Sequence, residues 1–258
     1  MDLGDDDLWV VTCDTADVDP PEAATACRAI LSEDERGRLD RFLNTAHRPQ
    51  FLAGHALIRL LLTEVVPEVA PAEWRFSSTA HGRPEVAEPR RYQHLRFNMS
   101  HTQGLVACAV VWRRDVGVDV ERRNPGFAHR AVADQFFSPQ ESAALRSLPS
   151  DADRVHRFFT YWTLKEAYLT ARGKGLALPL GAFTMHLDPD GRSAAVEFDE
   201  ARIPDHGWRW CLRHSQVTPE HLLATCVDQS GGPPAIRSAH VNIVADGRSL
   251  GLRWLAPG

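Results

Sequence analysis

Gly117-Val118-Asp119-Val120-Glu121, followed about forty-five residues later by Trp162-Thr163-Leu164-Lys165-Glu166-Ala167, decides how this chain is read. In the first stretch apolar and acidic residues alternate with the period of a strand. Asp119 and Glu121 therefore share one face while Val118 and Val120 turn into the core. The second stretch lies in an apolar-periodic run opened by Asp151 and Asp153 and continued by Phe158, Phe159, Trp162, Leu164, Ala167, Tyr168 and Leu169. That pattern predicts a long helix over 153–172, able to carry Glu166 toward the strand. Three carboxylates without a cysteine or histidine partner favour a hard cation such as Mg2+ over zinc. The competing reading is a solvated strand edge beside a helix-surface charge. Against it, Lys165-Glu166 lies behind Trp162 deep in an apolar helix, where charged groups need partners.

Outward from these two elements the chain alternates strands and helices. Leu8 to Cys13 reads as an opening strand, Pro21 to Ile30 and Ser32 to Phe42 as two short helices, and Asn44 to Val66 as a long one stopped by Pro67. Ser32 and Glu35 form a capping box for the second. Strands are expected at 74–76, 95–99, 105–112 and 116–121, then helices at 127–136 and 139–147 before the long one. Further strands follow at 182–187, 194–198, 208–214 and 222–227. After Gln229 the Ser-Gly-Gly-Pro-Pro segment reads as a linker, and the tail from Ala239 adds one more strand. Each half offers strand, long helix and several strands. The expectation is an α+β fold of two similar subdomains, each a small, mainly antiparallel sheet on a long helix, divided as 1–115 and 116–258.

Composition narrows the function. The 258 residues with 43% hydrophobic content suit one large or two small packed domains. A net charge of −5 gives no nucleic-acid footprint. The five cysteines form an odd set without C-x-x-C spacing and read as reduced core residues. The N-terminus begins Met-Asp-Leu-Gly-Asp-Asp-Asp, unlike a signal peptide, and no apolar run is long enough to span a bilayer, so a cytoplasmic protein with no membrane partner is expected.

Phe97-Asn98-Met99-Ser100-His101-Thr102 places an apolar strand before a donor-rich turn. Ser100 and His101 do not read as a hydrolase pair, because the G-x-S-x-G elbow is missing and adjacent strand residues point to opposite faces. Phosphate binding suits them, as would an ordinary turn. Arg48 and Arg83 are the best arginines for phosphate, with Arg38 behind them; Arg36 and Arg41 read as a salt-bridged surface.

In combination these pieces resemble the 4′-phosphopantetheinyl transferases of the surfactin-synthetase-activating type. The resemblance runs from about residue 32 to residue 185 through Ala46-His47-Arg48, Gly54, Leu57-Ile58-Arg59, Gly82-Arg83-Pro84, Phe97 to His101, Gly117 to Glu121, Phe136-Phe137-Ser138-Pro139-Gln140-Glu141, Trp162 to Ala167 and Gly173-Lys174-Gly175-Leu176. It implies a pseudo-twofold pair of α+β subdomains with the active site in the cleft between them. The implied reaction moves the 4′-phosphopantetheine arm of coenzyme A onto a serine of an apo acyl or peptidyl carrier protein, releasing adenosine 3′,5′-bisphosphate. The resemblance implies Asp119, Glu121 and Glu166 as ligands of Mg2+, or Mn2+, with Glu166 or a water it positions as general base. Lys165 is implied as a charge stabiliser near the phosphates, and Arg48, Arg83, Ser100, His101 and Arg38 as coenzyme A contacts. Implied partners are carrier proteins of polyketide, nonribosomal-peptide or fatty-acid synthases, engaged by a monomer through the segment 173–203, with Leu176, Leu178 and Leu180 toward the carrier. The alternatives are a Mg2+-dependent phosphodiesterase and a non-catalytic coenzyme A-binding protein. One departure stands out: Thr170 occupies the place, one turn beyond Glu166, where the family often has lysine. Its hydroxyl, or Arg172 or Lys174, is expected to compensate.

Overall fold

A computed structural model describes residues 3–80, 82–127, 129–173, 178–199, 203, 205–246 and 249–255. The chain divides into two compact units. The first comprises 1–80, 84–113 and 235–258, and the second 81–83 and 114–234.

The first unit holds β1 (Asp7–Asp14), α1 (Pro21–Ile30), α2 (Glu33–Asp40), α3 (Arg48–Val65), β2 (Arg75–Ser78), β3 (Pro84–Glu88), β4 (Leu95–Thr102) and β5 (Leu105–Trp112). In the second are β6 (Val116–Arg122), α4 (His129–Phe136), α5 (Pro139–Ser147), α6 (Asp151–Arg172), β7 (Phe183–Leu187), β8 (Ser193–Phe198), β9 (Trp210–Gln216) and β10 (His221–Asp228). The tail adds β11 (Ala235–Asp246) and β12 (Ser249–Trp254).

The expected α+β class holds, and each unit carries one five-stranded sheet and one long helix. The first sheet runs β12-β11-β1-β5-β4 and the second β6-β10-β9-β8-β7, with β2 and β3 as a separate hairpin. All pairings are antiparallel except β1 with β11, which is parallel.

The expected division into 1–115 and 116–258 needs correction at the tail. Residues 235–258 form two strands rather than one, and they belong to the first unit. The reason lies in β1, whose Leu8 to Cys13 are buried. A buried strand must satisfy its backbone on both edges. β5 covers one edge and β11 the other, with Val241 and Ile243 entering the core around α3.

The two units share a device at residue level. In the first, Ser32 caps α2 and Glu35 returns to the Ser32 amide; Glu35 then meets Arg59 of α3 at 2.6 Å. In the second, Ser138 and Glu141 form the same capping box on α5, and Glu141 meets Lys165 of α6 at 2.9 Å. Both cations are buried. In each unit 24 residues separate glutamate from cation, and the cation donates to a backbone carbonyl 15 residues further on, Trp74 in one case and Leu180 in the other.

Candidate active site

The carboxylate pocket begins with a glycine. A Cβ on Gly117 would lie 2.0 Å from the Ala167 carbonyl oxygen and 2.6 Å from the Ala171 amide of α6. Only glycine allows so close an approach. Asp119 and Glu121 follow at two and four residues, on the same face of β6, and so lie along α6 near Glu166. Val118 and Val120, on the other face, are buried. The strand-and-helix expectation therefore holds.

Asp119, Glu121 and Glu166 line one pocket of about 780 Å3 with Gln135, Phe136, Trp162, Leu178, Pro179, Leu180 and Gly181. Burial pushes the Glu166 carboxyl up from its ordinary value. The donor set is right for a hard divalent cation, being three carboxylate groups without thiolate or imidazole. A cation would also relieve the desolvated Glu166. The carboxylates share a wall rather than a point: among the described residues no three His, Cys, Asp or Glu side chains are already gathered around an ion position.

Three expectations at the helix fail. Lys165 is adjacent to Glu166 but turns about 100° away from it, as neighbours on a helix do. Its ammonium is fully buried, donating to the Leu180 carbonyl at 2.8 Å and the Phe183 carbonyl at 2.6 Å, besides its pair with Glu141. Burial pulls its pKa below the lysine range, with Glu141 opposing. The expected phosphate contact by Lys165 is thus replaced by an internal one. The Thr170 hydroxyl donates back to the Glu166 carbonyl at 2.8 Å, and so is not directed at a ligand. Arg172 is paired with buried Asp205 at 3.3 Å and donates to the Tyr168 hydroxyl, so it does not replace the missing lysine either. Lys174, Gly175 and Leu176 lie outside the described residues.

The phosphate candidates divide between the units. Arg83 donates to Asp115 at 2.8 Å and to the Ala171 carbonyl at 3.1 Å, which places its guanidinium on the last turn of α6. In the first unit, Arg48 is exposed at the start of α3 and donates to the carbonyls of Asp40 and Phe42. Arg38 lies over the Phe51 ring. Ser100 is half-buried and His101 exposed near the end of β4. Although exposed as a residue, His101 has a partly desolvated ring, which lowers its pKa, and the nearby His47 lowers it further. Both effects favour the neutral ring. Sequence reasoning did not assign Gln135 or Phe136 to the pocket. The signal in sequence was Phe136 at the head of the Phe136 to Glu141 stretch that carries the resemblance; in the structure it is 44% exposed.

Residues 115–226 match the model of the 4′-phosphopantetheinyl transferase superfamily, and residues 20–112 match that of the 4′-phosphopantetheinyl transferase N-terminal region. The chain is 38% identical over 170 residues to the 4′-phosphopantetheinyl transferase HetI of Nostoc sp., covering 66% of this chain and 69% of the relative. It belongs to the 4′-phosphopantetheinyl transferase superfamily. This transferase is also 32% identical to a phosphopantetheinyl transferase of Thraustochytrium sp., over 81% of its own length and 74% of the relative's. It is 26% identical to the 4′-phosphopantetheinyl transferase Sfp of Bacillus subtilis, over 81% and 87%. The superfamily match contains all three pocket carboxylates of the transferase, and the N-terminal match contains Arg38, Arg48, Arg83, Ser100 and His101.

Proposed function

We propose that this transferase moves the 4′-phosphopantetheine arm of coenzyme A onto a serine hydroxyl of an apo carrier protein, with Asp119, Glu121 and Glu166 as the seat of Mg2+ or Mn2+. The supporting observation is the shared wall of these three carboxylates in a pocket whose other side is apolar. A divalent ion there supplies charge neutralisation for the coenzyme A diphosphate. Glu166 takes the serine proton, directly or through a water. Glu166 lines the same pocket wall as Asp119 and Glu121, which would place its carboxylate beside both the ion and the incoming hydroxyl. Arg48, Ser100 and His101, with Arg38 and Arg83, supply donors to the phosphates. Phe136, Leu178 and Pro179 offer apolar surface to the pantetheine arm and to the carrier.

The carrier belongs to a polyketide, nonribosomal-peptide or fatty-acid synthase, and the enzyme works as a cytoplasmic monomer. Among the described residues no helix is long and apolar enough to cross a membrane. The test combines the protein, coenzyme A, Mg2+ and several apo carriers, then weighs each carrier by intact mass spectrometry. One pantetheinyl addition per carrier is expected. Coenzyme A cleaved without added mass would instead make the protein a phosphodiesterase, and no adduct or cleavage on any carrier would leave only binding.

A further inference from the structure

The repeated capping-box strap has different consequences in the two units. In the first, the Arg59 guanidinium ties α3 to the carbonyls of Pro71 and Trp74, ahead of β2, a segment without a described pocket carboxylate. In the second, Lys165 ties α6 to the carbonyls of Leu180 and Phe183 on the approach to β7. Leu178, Pro179, Leu180 and Gly181 of that approach are the apolar wall of the carboxylate pocket. Glu141 strengthens the tie by accepting from the Met185 amide at 2.8 Å. The same wall presses on α4: a Cβ on Gly181 would lie 3.4 Å from the Phe136 carbonyl oxygen. All three ammonium protons have acceptors, and the Phe183 ring lies 4.2 Å from Nζ.

We propose that Lys165 is a positioning residue of this transferase: with Glu141 it fixes the wall 178–183 at a set distance from the helix face that carries Glu166, and it does not touch coenzyme A. The proposal rests on the transferase reading above. The sequence pattern S-x-x-E, followed 24 residues later by a buried cation, marks the strap in both units. Nothing in the chemistry of coenzyme A requires that repeat, whereas a helix that must be tied to the strand after it does.

Two variants test it, Lys165→Met and Lys165→Met/Glu141→Gln. Methionine keeps the length of the stem and removes the donors. Glutamine restores charge balance in the interior, and its single carbonyl oxygen can keep the capping box, while its amide nitrogen no longer accepts from the Met185 amide. In Lys165→Met, kcat should fall about tenfold or more through loss of orientation, with KM for coenzyme A little changed. Amide exchange should quicken in 178–187 but not in the first unit. The double variant should regain thermal stability without regaining kcat. Recovery of kcat together with stability would reduce Lys165 to a merely structural group and overturn the proposal. A raised KM for coenzyme A at unchanged kcat would do the same, by showing a direct phosphate contact, and so would exchange that quickens throughout the chain. Wild-type protein run alongside separates the two readings: if it transfers nothing, the transferase reading fails, while the exchange pattern still decides the strap.

Discussion

Adjacent residues on α6 have opposite fates. Glu166 lines the carboxylate pocket while Lys165 is sealed beneath it, although both belong to one short motif. Asp119→Ala and Glu166→Ala should each abolish pantetheinyl transfer, read by carrier mass, while circular dichroism and the unfolding midpoint stay close to wild type. Either variant retaining near wild-type activity would sink the metal assignment. Thr170 is a departure with a direct test. Its hydroxyl is occupied by the Glu166 carbonyl one turn back. Thr170→Lys would place a cation on the helix face of Glu166. KM for coenzyme A should then fall about fivefold, the effect of roughly 1 kcal/mol. At this scale the carboxylates were legible in sequence, because alternation fixes a strand face. The partners of Lys165 and Arg172 were not, because Glu141 and Asp205 lie 24 and 33 residues away in the chain.

Elements meet at glycines and at buried ion pairs. β6 lies directly on the backbone of α6 because Gly117 has no side chain, and Ala167 and Ala171 present little of their own. Gly117→Ala forces these elements apart and should cost about 3 kcal/mol in denaturant unfolding, the upper end for overpacking. Transfer should fall with it, since Asp119 and Glu121 move relative to Glu166. α6 itself was legible to within two residues, expected over 153–172 and found over Asp151–Arg172. Ser150 caps its start, and Gly173, at φ 64°, closes it in the left-handed conformation that glycine tolerates. The equivalence of the two halves was only partly legible. Strand and helix order suggested it, but the 24-residue spacing of Glu35 to Arg59 and Glu141 to Lys165 becomes meaningful only once both pairs are seen in contact.

The whole chain closes its first sheet with residues that arrive last. Removing 235–258 exposes one edge of β1 and takes Val241 and Ile243 out of the core. The truncated chain should lose the cooperative unfolding of the first unit, seen as a missing calorimetric transition. Acid acts through the histidines. Burial lowers the pKa of His55, His101, His156 and His214 from ordinary values near 6.5. The folded state keeps these rings neutral while the unfolded chain takes up protons, so each withdraws stability as pH falls below about 6.5. The unfolding temperature should be lower at pH 6.0 than at 7.5. His55→Gln should shrink that drop, since His55 is enclosed by a stacked Phe51 ring and a bond to the Phe51 carbonyl. An equal drop in the variant would remove His55 from the account.

Sequence by itself determined the α+β class, the long helices and the carboxylate face of β6, because these depend on local period, caps and glycines along the chain, while the order of its motifs carried the resemblance to the family. Only the tertiary structure decided that Lys165 serves the interior, that Arg172 is already paired and that the tail belongs to the first sheet. Each of these depends on which distant group fills a buried partner's vacancy, and buried charges and strand edges are satisfied by whatever the completed fold brings to them.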